Sequence, residues 1–384
     1  MTRATSGHAD VIIVGLGAMG SSAAYHVAGR GYSVLGFDRF RPPHDRGSSG
    51  GETRIIREAY FEHPLYVPFV QHAYDLWREL EKESGKQLLT QTGGLMMGPP
   101  DGVLVTGALA SARQHGLPFE LLTPTQIAQR FPVFQPSDEM VGVLEPRAGF
   151  LLAELCIGAN LELAQARGAN LRFNEPISAW HASGSGVEVR SERGVYRAEK
   201  LVLSAGAWMA GIVGDLKLPL HVERMVLHWF EPKRNKDWFS SARLPIYVIE
   251  YAPNYLFYGF PLQPRGIKIA LHHHGPETDP EDVAAVSQEE RSSMLELISR
   301  YMPDAAGRIV DSATCMYTNT PDENFLIDFH PDHGNVLLAS PCSGHGFKFS
   351  SAIGEILADL LTDGPLRFEL EPFKIGRFSL ARDP

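Results

Sequence analysis

Cysteine is scarce in this chain of 384 residues: Cys156, Cys315 and Cys342 are the only three. An odd, widely spaced set argues against a disulfide framework and a zinc site, and fits a reducing cytoplasm. There is no long basic run either, and the formal net charge is −10. Phosphate contacts need clustered Lys and Arg, so nucleic-acid binding is not expected. No run of about 18 apolar residues occurs, so no membrane span is expected. The polar stretch Met1 to Asp10 lacks the apolar core of a signal peptide. Internal repeats and low-complexity tracts are absent too. What remains is an ordinary globular composition, 44% hydrophobic and 21% charged, long enough for two or three domains.

The first informative stretch is Val11-Ile12-Ile13-Val14, a continuous β-branched run that reads as a strand buried on both faces. Gly15-Leu16-Gly17-Ala18-Met19-Gly20 follows at once. Ser21 to Arg30 reads as a helix closed by Gly31, and Ser33 to Phe37 as the next strand, with Asp38 at its tip. This is a complete βαβ unit with a dinucleotide fingerprint. Gly15 permits the tight turn, Gly17 lets backbone approach a pyrophosphate, and Gly20 lets helix and strand pack closely. The helix N-terminus offers free N–H groups to phosphates, and Asp38 is placed to bond ribose hydroxyls. The fingerprint alone does not separate NAD from FAD.

Further along, helices are expected from about Tyr66 to Ser84, from Thr123-Pro124 with a Gln126 capping box, and from Leu151 to Arg167. Val187 to Arg190 and Val195 to Arg197 read as a hairpin, and Leu201 to Leu203 as a separate buried strand. Pro219 to Leu271 alternates in the manner of an antiparallel sheet. Asn335 to Ser340 returns to the buried-strand pattern and leads through Ser343-Gly344-His345-Gly346 into a helix from Phe349 to Thr362. The expected fold is therefore α/β. A discontinuous Rossmann-like dinucleotide domain (1–85, 148–221 and 321–384) would receive an inserted antiparallel-sheet substrate domain (86–147 and 222–320).

Three segments narrow the reading: Gly47-Ser48-Ser49-Gly50-Gly51-Glu52-Thr53-Arg54-Ile55-Ile56-Arg57, Cys315-Met316-Tyr317-Thr318, and Ser343-Gly344-His345-Gly346-Phe347-Lys348-Phe349-Ser350-Ser351. With Pro42-Pro43-His44 and Pro321-Asp322-Glu323, they resemble the monomeric sarcosine oxidase and N-methyltryptophan oxidase family over Asp10 to Phe378. The resemblance implies a two-domain fold of the p-hydroxybenzoate hydroxylase type. It also implies FAD joined through its 8α-methyl group to a cysteine sulfur, here Cys315, and an expected monomer. Such enzymes oxidise the carbon beside a secondary amine of an amino acid. Oxygen is then reduced to hydrogen peroxide, and N-methyl substrates release formaldehyde.

Carried onto this chain, the resemblance makes Lys268 the oxygen-activating cation. It makes Arg57 and Lys348 the carboxylate clamp, with Arg54, Tyr258, His272, Tyr317 and His345 in the pocket. The cofactor is expected against Gly15, Gly17, Gly20, Asp38, Arg39, Ser48, Thr53, Arg54, Ile177, Ala205, Gly206, Trp208, Cys315, Met316, Gly344, His345, Gly346 and Lys348.

Plainer readings exist for each. Cys315 suits a small buried hydrophobe. Strand alternation puts Lys268, Ala270 and His272 on one face, which could be a solvated one. Arg54 and Arg57 could be a surface pair, and the helix from Phe349 simple core. The run His272-His273-His274 cannot bind one metal as a strand, because adjacent side chains point to opposite faces, and no metal is expected. The chain carries Ser49-Gly50 where many family members have two histidines, which alters the pocket. Cys342 is also unusual, and Pro232 to Ala242, with Trp238, is a candidate specificity segment. Alternatives are an oxidase of pipecolate-like, proline-like or sugar-modified amino acids, a flavin dehydrogenase with a protein acceptor, an NAD dehydrogenase and a non-catalytic flavoprotein.

Overall fold

The structure is a computed structural model and describes residues 5–378. Strand Thr5–Val14 lies inside a parallel array. Val34–Phe37 pairs on one side of it and Gly194–Leu203 on the other. Asn170–Arg172 extends the array beyond Val34–Phe37, and His333–Ser340 pairs with the end of Gly194–Leu203. Leu326–His330 closes that side antiparallel. Ile12, Ile13, Leu201, Leu203 and Leu337 have no exposed surface, as a strand run covered on both faces requires. Helices Ala18–Gly29 and Ser350–Thr362 pack on this sheet's core.

Three expected boundaries change, the first being that the opening strand starts at Thr5 and not at Val11. Residues 194–203 form one strand, because they pair along their whole length with Thr5–Val14, while on the other edge the first half meets Gly186–Ser191 and the second half His333–Ser340. Leu151 and Leu152 belong to strand Gly149–Leu152, and the helix runs Ala153–Ala166. Those leucines pair with Thr53–Ile56 in a small three-stranded sheet that also takes Leu89–Gln91. Helix Val67–Ser84 buries Val70, Tyr74, Trp77 and Leu80 and stops at Gly85, whose φ of 68° is left-handed. Helix Pro124–Arg130 has the expected Thr123–Gln126 capping box.

The second large sheet runs in the order Ile309–Asn319, His221–Phe230, Ile267–His272, Tyr255–Gly259, Ile246–Ala252, Gly94–Gly98, Val141–Glu145, Glu120–Leu122. Its pairs are antiparallel except Ile246–Ala252 with Gly94–Gly98. Cys315 stands opposite Met225, and Tyr317 opposite Glu223. The segment from Pro232 to Ala242 folds over the far core of this sheet, where Phe239 is fully buried and Trp238 packs beside it. None of it lines the cleft described below. No helix among the described residues is long and apolar enough to cross a membrane.

Candidate active site

A cleft of about 470 Å³ runs between the parallel sheet and the second sheet. At one end lies the glycine turn. Gly15 donates to the Phe37 carbonyl at 2.8 Å with φ 91°, and a β-carbon there would collide with the Ser204 carbonyl. Gly17 caps the helix with no side-chain partner and leaves open space above it. Asp38 sits over the turn, its carboxylate accepting from Leu16 N and Phe40 N, each at 2.8 Å. Arg39 lines the rim but also pairs with Glu281, and its guanidinium lies 4.8 Å from the Trp208 ring. Ile177, Ala205, Gly206, Ser48 and Met316 complete this half of the wall.

The other half is a cluster of buried charge. Arg54 has no carboxylate partner among the described residues. Its guanidinium donates to the carbonyls of Ser48 and Gly50, both at 2.6 Å, and of Thr53 at 2.8 Å, and one nitrogen lies 3.7 Å from Cys315 Sγ. Lys268 is 1% exposed, so the solvated-face reading fails. Its ammonium donates to the Gly51 carbonyl at 2.7 Å and to the Thr53 carbonyl, which it shares with Arg54. Burial, and then the Arg54 charge, push its pKa well below the ordinary lysine value.

Arg57 and Lys348 are also buried, which removes the surface-pair reading. Arg57 Nη2 reaches both carboxylate oxygens of Glu62, at 2.7 Å to Oε1, and its guanidinium stacks 4.4 Å from the rings of Tyr60 and Phe61. Lys348 donates to the His345 carbonyl at 2.7 Å and to the Tyr60 hydroxyl at 3.2 Å. The Tyr60 hydroxyl in turn donates to His345 Nδ1, while His345 Nε2 donates to the Glu323 carbonyl at 3.0 Å. That chain of donors fixes His345 as the neutral Nε2–H tautomer, in keeping with a pKa that burial lowers to about 4. Burial would raise Glu62, but the Arg57 guanidinium bonded to it outweighs burial and holds its pKa at about 2. Burial, with the Arg57 charge, brings Lys348 down to about 7. His272, also on the wall, is pushed well below its usual value by burial and by His273. Tyr258, Tyr317 and Val248 close the pocket, and Cys342 sits on the same wall with its thiol raised by burial to about 11.

Three predicted residues do not reach the wall. Gly20 lies under the turn, where a β-carbon would overlap the Gly15 carbonyl, so its role is close packing. Thr53 is covered, and its carbonyl is the shared acceptor of Arg54 and Lys268. Lys268 stands one layer back, drawn there by the Gly51 and Thr53 carbonyls. Sequence reasoning missed Glu62, Phe61, Val248 and Glu175, all wall residues. Glu62 carried a signal: a lone acid in the aromatic stretch Tyr60-Phe61-Glu62, five residues after an expected clamp arginine.

The residues fit a flavin dinucleotide. The glycine turn is bare of side chains, and Ser48 Oγ and Thr318 Oγ1 line the cleft buried without a partner among the described residues. Arg54 and Lys268 lie close together beside a cysteine sulfur, with no acid bonded to either among the described residues. A glycine-turn sheet joined to a second sheet across a deep cleft defines a two-domain dinucleotide-dependent enzyme. The FAD dependent oxidoreductase family model matches residues 10–360, and the chain belongs to that family.

It is 41% identical over 377 residues to monomeric sarcosine oxidase of Streptomyces avermitilis, covering 97% of this chain and 98% of that one. It is 36% identical to N-methyl-L-tryptophan oxidase of Citrobacter koseri, covering 96% and 99%. Among solved structures, the open form of NikD, an unusual amino acid oxidase, matches with a TM-score of 0.85 at 25% identity, covering 96% and 97%. Glycine oxidase from Geobacillus kaustophilus shares the fold with a TM-score of 0.82 at 19% identity, covering 97% and 99%.

Proposed function

We propose that the chain is an oxidase of a secondary amino acid, sarcosine or another N-methyl-L-amino acid. The observation that carries this reading is the meeting of Arg57, Lys348 and a carboxylate at the inner end of the cleft. A guanidinium and an ammonium arranged around one carboxylate make a site for a second one, that of an amino acid. The names of the curated relatives supply the substrate class.

When bound, FAD accepts a hydride from the carbon beside the amine and returns the electrons to oxygen. This chain's residues supply the rest. Arg57 and Lys348 grip the substrate carboxylate once Glu62 gives way. His272 is uncharged, so it does not repel an incoming ammonium. Tyr258, Tyr317, Phe61 and Val248 exclude water from the reacting carbon. Arg54 and Lys268 favour negative charge as it develops nearby, an electrostatic contribution that needs no reorganisation. We assign Cys315 as the attachment point, because its sulfur lies on the cleft wall beside Arg54. The cofactor is assigned to the unit formed by 1–85, 148–221 and 321–384. The enzyme is taken as a cytoplasmic monomer, a reading supported by three free cysteines and by the relatives' names.

For an N-methyl substrate, one oxygen and one water are consumed, and one peroxide, one formaldehyde and the primary amino acid are formed. Aerobic incubation with sarcosine or N-methyl-L-tryptophan should yield formaldehyde and peroxide in equal amounts. Peroxide without formaldehyde from every N-methyl amino acid would exclude demethylation.

A further inference from the structure

The tract His272-His273-His274 sends its rings to three places. His272 lines the cleft. His274 turns away: its ring stacks on Tyr255 at 4.1 Å, and its Nε2 donates to the Asn254 carbonyl at 3.0 Å. His273 does neither. Its φ is 62° and that of His274 is 66°, a left-handed pair that residues with a β-carbon seldom adopt.

The His273 ring is held by Glu223, whose Oε2 lies 3.0 Å from Nδ1. Glu223 also accepts from Asn319 Nδ2 at 2.9 Å and from Gly275 N at 2.7 Å, so the anchor is itself fixed. Glu223 stands directly opposite Tyr317 across the paired strands. The His273 ring meets Tyr317 edge-on at 5.3 Å and His272 at 4.4 Å. Gly344, with φ 73°, lies against both rings: a β-carbon there would come within 2.6 Å of the Tyr317 ring and 3.2 Å of His273 Cε1. The His273 ring and the Gly344 turn thus meet each other and together form a corner against which the Tyr317 ring packs. The Tyr317 hydroxyl reaches His272 Nδ1 at only 3.5 Å, the outer limit of a hydrogen bond, and meets the Tyr258 hydroxyl as well, while the His273 ring holds the Tyr317 ring by packing.

We propose that His273, anchored by Glu223, is a positioning residue that fixes Tyr317 and His272 as one wall of the amino-acid site and so sets substrate affinity. The inference rests on the amino-acid reading of the cleft given above. His273 does not line the cleft and acts through its two neighbours.

The test uses the flavin-loaded protein and three substitutions: His273→Ala, His273→Phe and Glu223→Gln. The probe is methoxyacetate, an ether analogue of sarcosine with no amine to oxidise, titrated against the flavin's visible band. KM and kcat for the best N-methyl substrate are measured alongside. His273→Ala should weaken methoxyacetate binding and raise KM about fivefold or more, with kcat within about twofold, because positioning is lost and the reacting groups are kept. His273→Phe keeps a ring against Tyr317 and should restore most of the affinity. Glu223→Gln should fall between the two. Unchanged affinity in His273→Ala, or a His273→Phe protein no better than His273→Ala, overturns the proposal. Should His273→Ala not fold, unchanged affinity in Glu223→Gln overturns it instead. Failure of the unsubstituted protein to oxidise any N-methyl amino acid would sink the reaction, whereas the methoxyacetate titration reads the wall without turnover.

Discussion

Arg57 and Glu62 form an ion pair inside the cleft, with one guanidinium nitrogen on both carboxylate oxygens and Arg57 only 3% exposed. The residues we propose as the clamp for a substrate carboxylate thus already hold a carboxylate of the protein's own. On that proposal an incoming amino acid would compete with Glu62 for Arg57, and part of its binding energy would go into displacing it.

Replacing Glu62 by Gln removes that competitor while keeping its shape. KM for the substrate should fall about tenfold, equivalent to about 1.4 kcal/mol, with a smaller effect on kcat. Steady-state kinetics checks this. An unchanged or raised KM would show that Glu62 helps to bind substrate and does not block it.

Lys348 should make acid binding pH-dependent. Its pKa is lowered to about 7, so below that pH it is an ammonium and above it a neutral amine in the protein as it stands. Only the ammonium attracts a carboxylate. Affinity for methoxyacetate, which has no titrating amine, should be level below pH 7 and fall as pH rises beyond it, by at most about tenfold per unit. Lys348→Met should bind more weakly at pH 6 and lose the dependence. An identical profile in both proteins would assign the titration to another group, such as Glu145, which burial raises to about 7 near the Arg57 loop.

Lys268 uses two of its three N–H groups on the Gly51 and Thr53 carbonyls. Substitution by Met should slow reoxidation by oxygen at least about a hundredfold, an electrostatic effect of the size seen for single preorganised donors, and slow reduction by substrate far less. Stopped-flow measurement of the two half-reactions separates them. Equal slowing would mean that Lys268 serves to hold the Gly51–Thr53 backbone.

Cys315→Ala should leave the flavin extractable by acid, whereas the parent protein should retain its yellow colour after precipitation. Flavin that stays attached in the variant would place the link elsewhere.

Much of this was legible in the sequence, for identifiable reasons. The run Val11 to Val14, the glycine turn and Asp38 state a βαβ unit because each residue type there has few alternatives. Arg54, Arg57, Cys315 and Lys348 were found through long motifs. Leu151-Leu152 was misread because an apolar strand end runs into a helix without a capping residue, and periodicity cannot separate the two. The strand at 194–203 was split because its two halves meet different partners. Lys268 could not be placed behind the wall by alternation, since both faces of its strand are covered. The pairing of Glu62 with Arg57 and the anchoring of His273 by Glu223 depend on loop paths and left-handed backbone that no spacing rule foretells.

The most direct test of the central claim is anaerobic mixing of the purified, flavin-loaded protein with sarcosine, N-methyl-L-tryptophan and cyclic secondary amino acids. The flavin's visible band is followed, and air is then admitted. The account predicts bleaching by at least one N-methyl amino acid, with full return of colour and formation of peroxide in air. A flavin that stays oxidised with every N-methyl amino acid, while bleaching with a cyclic or other amine, would contradict it.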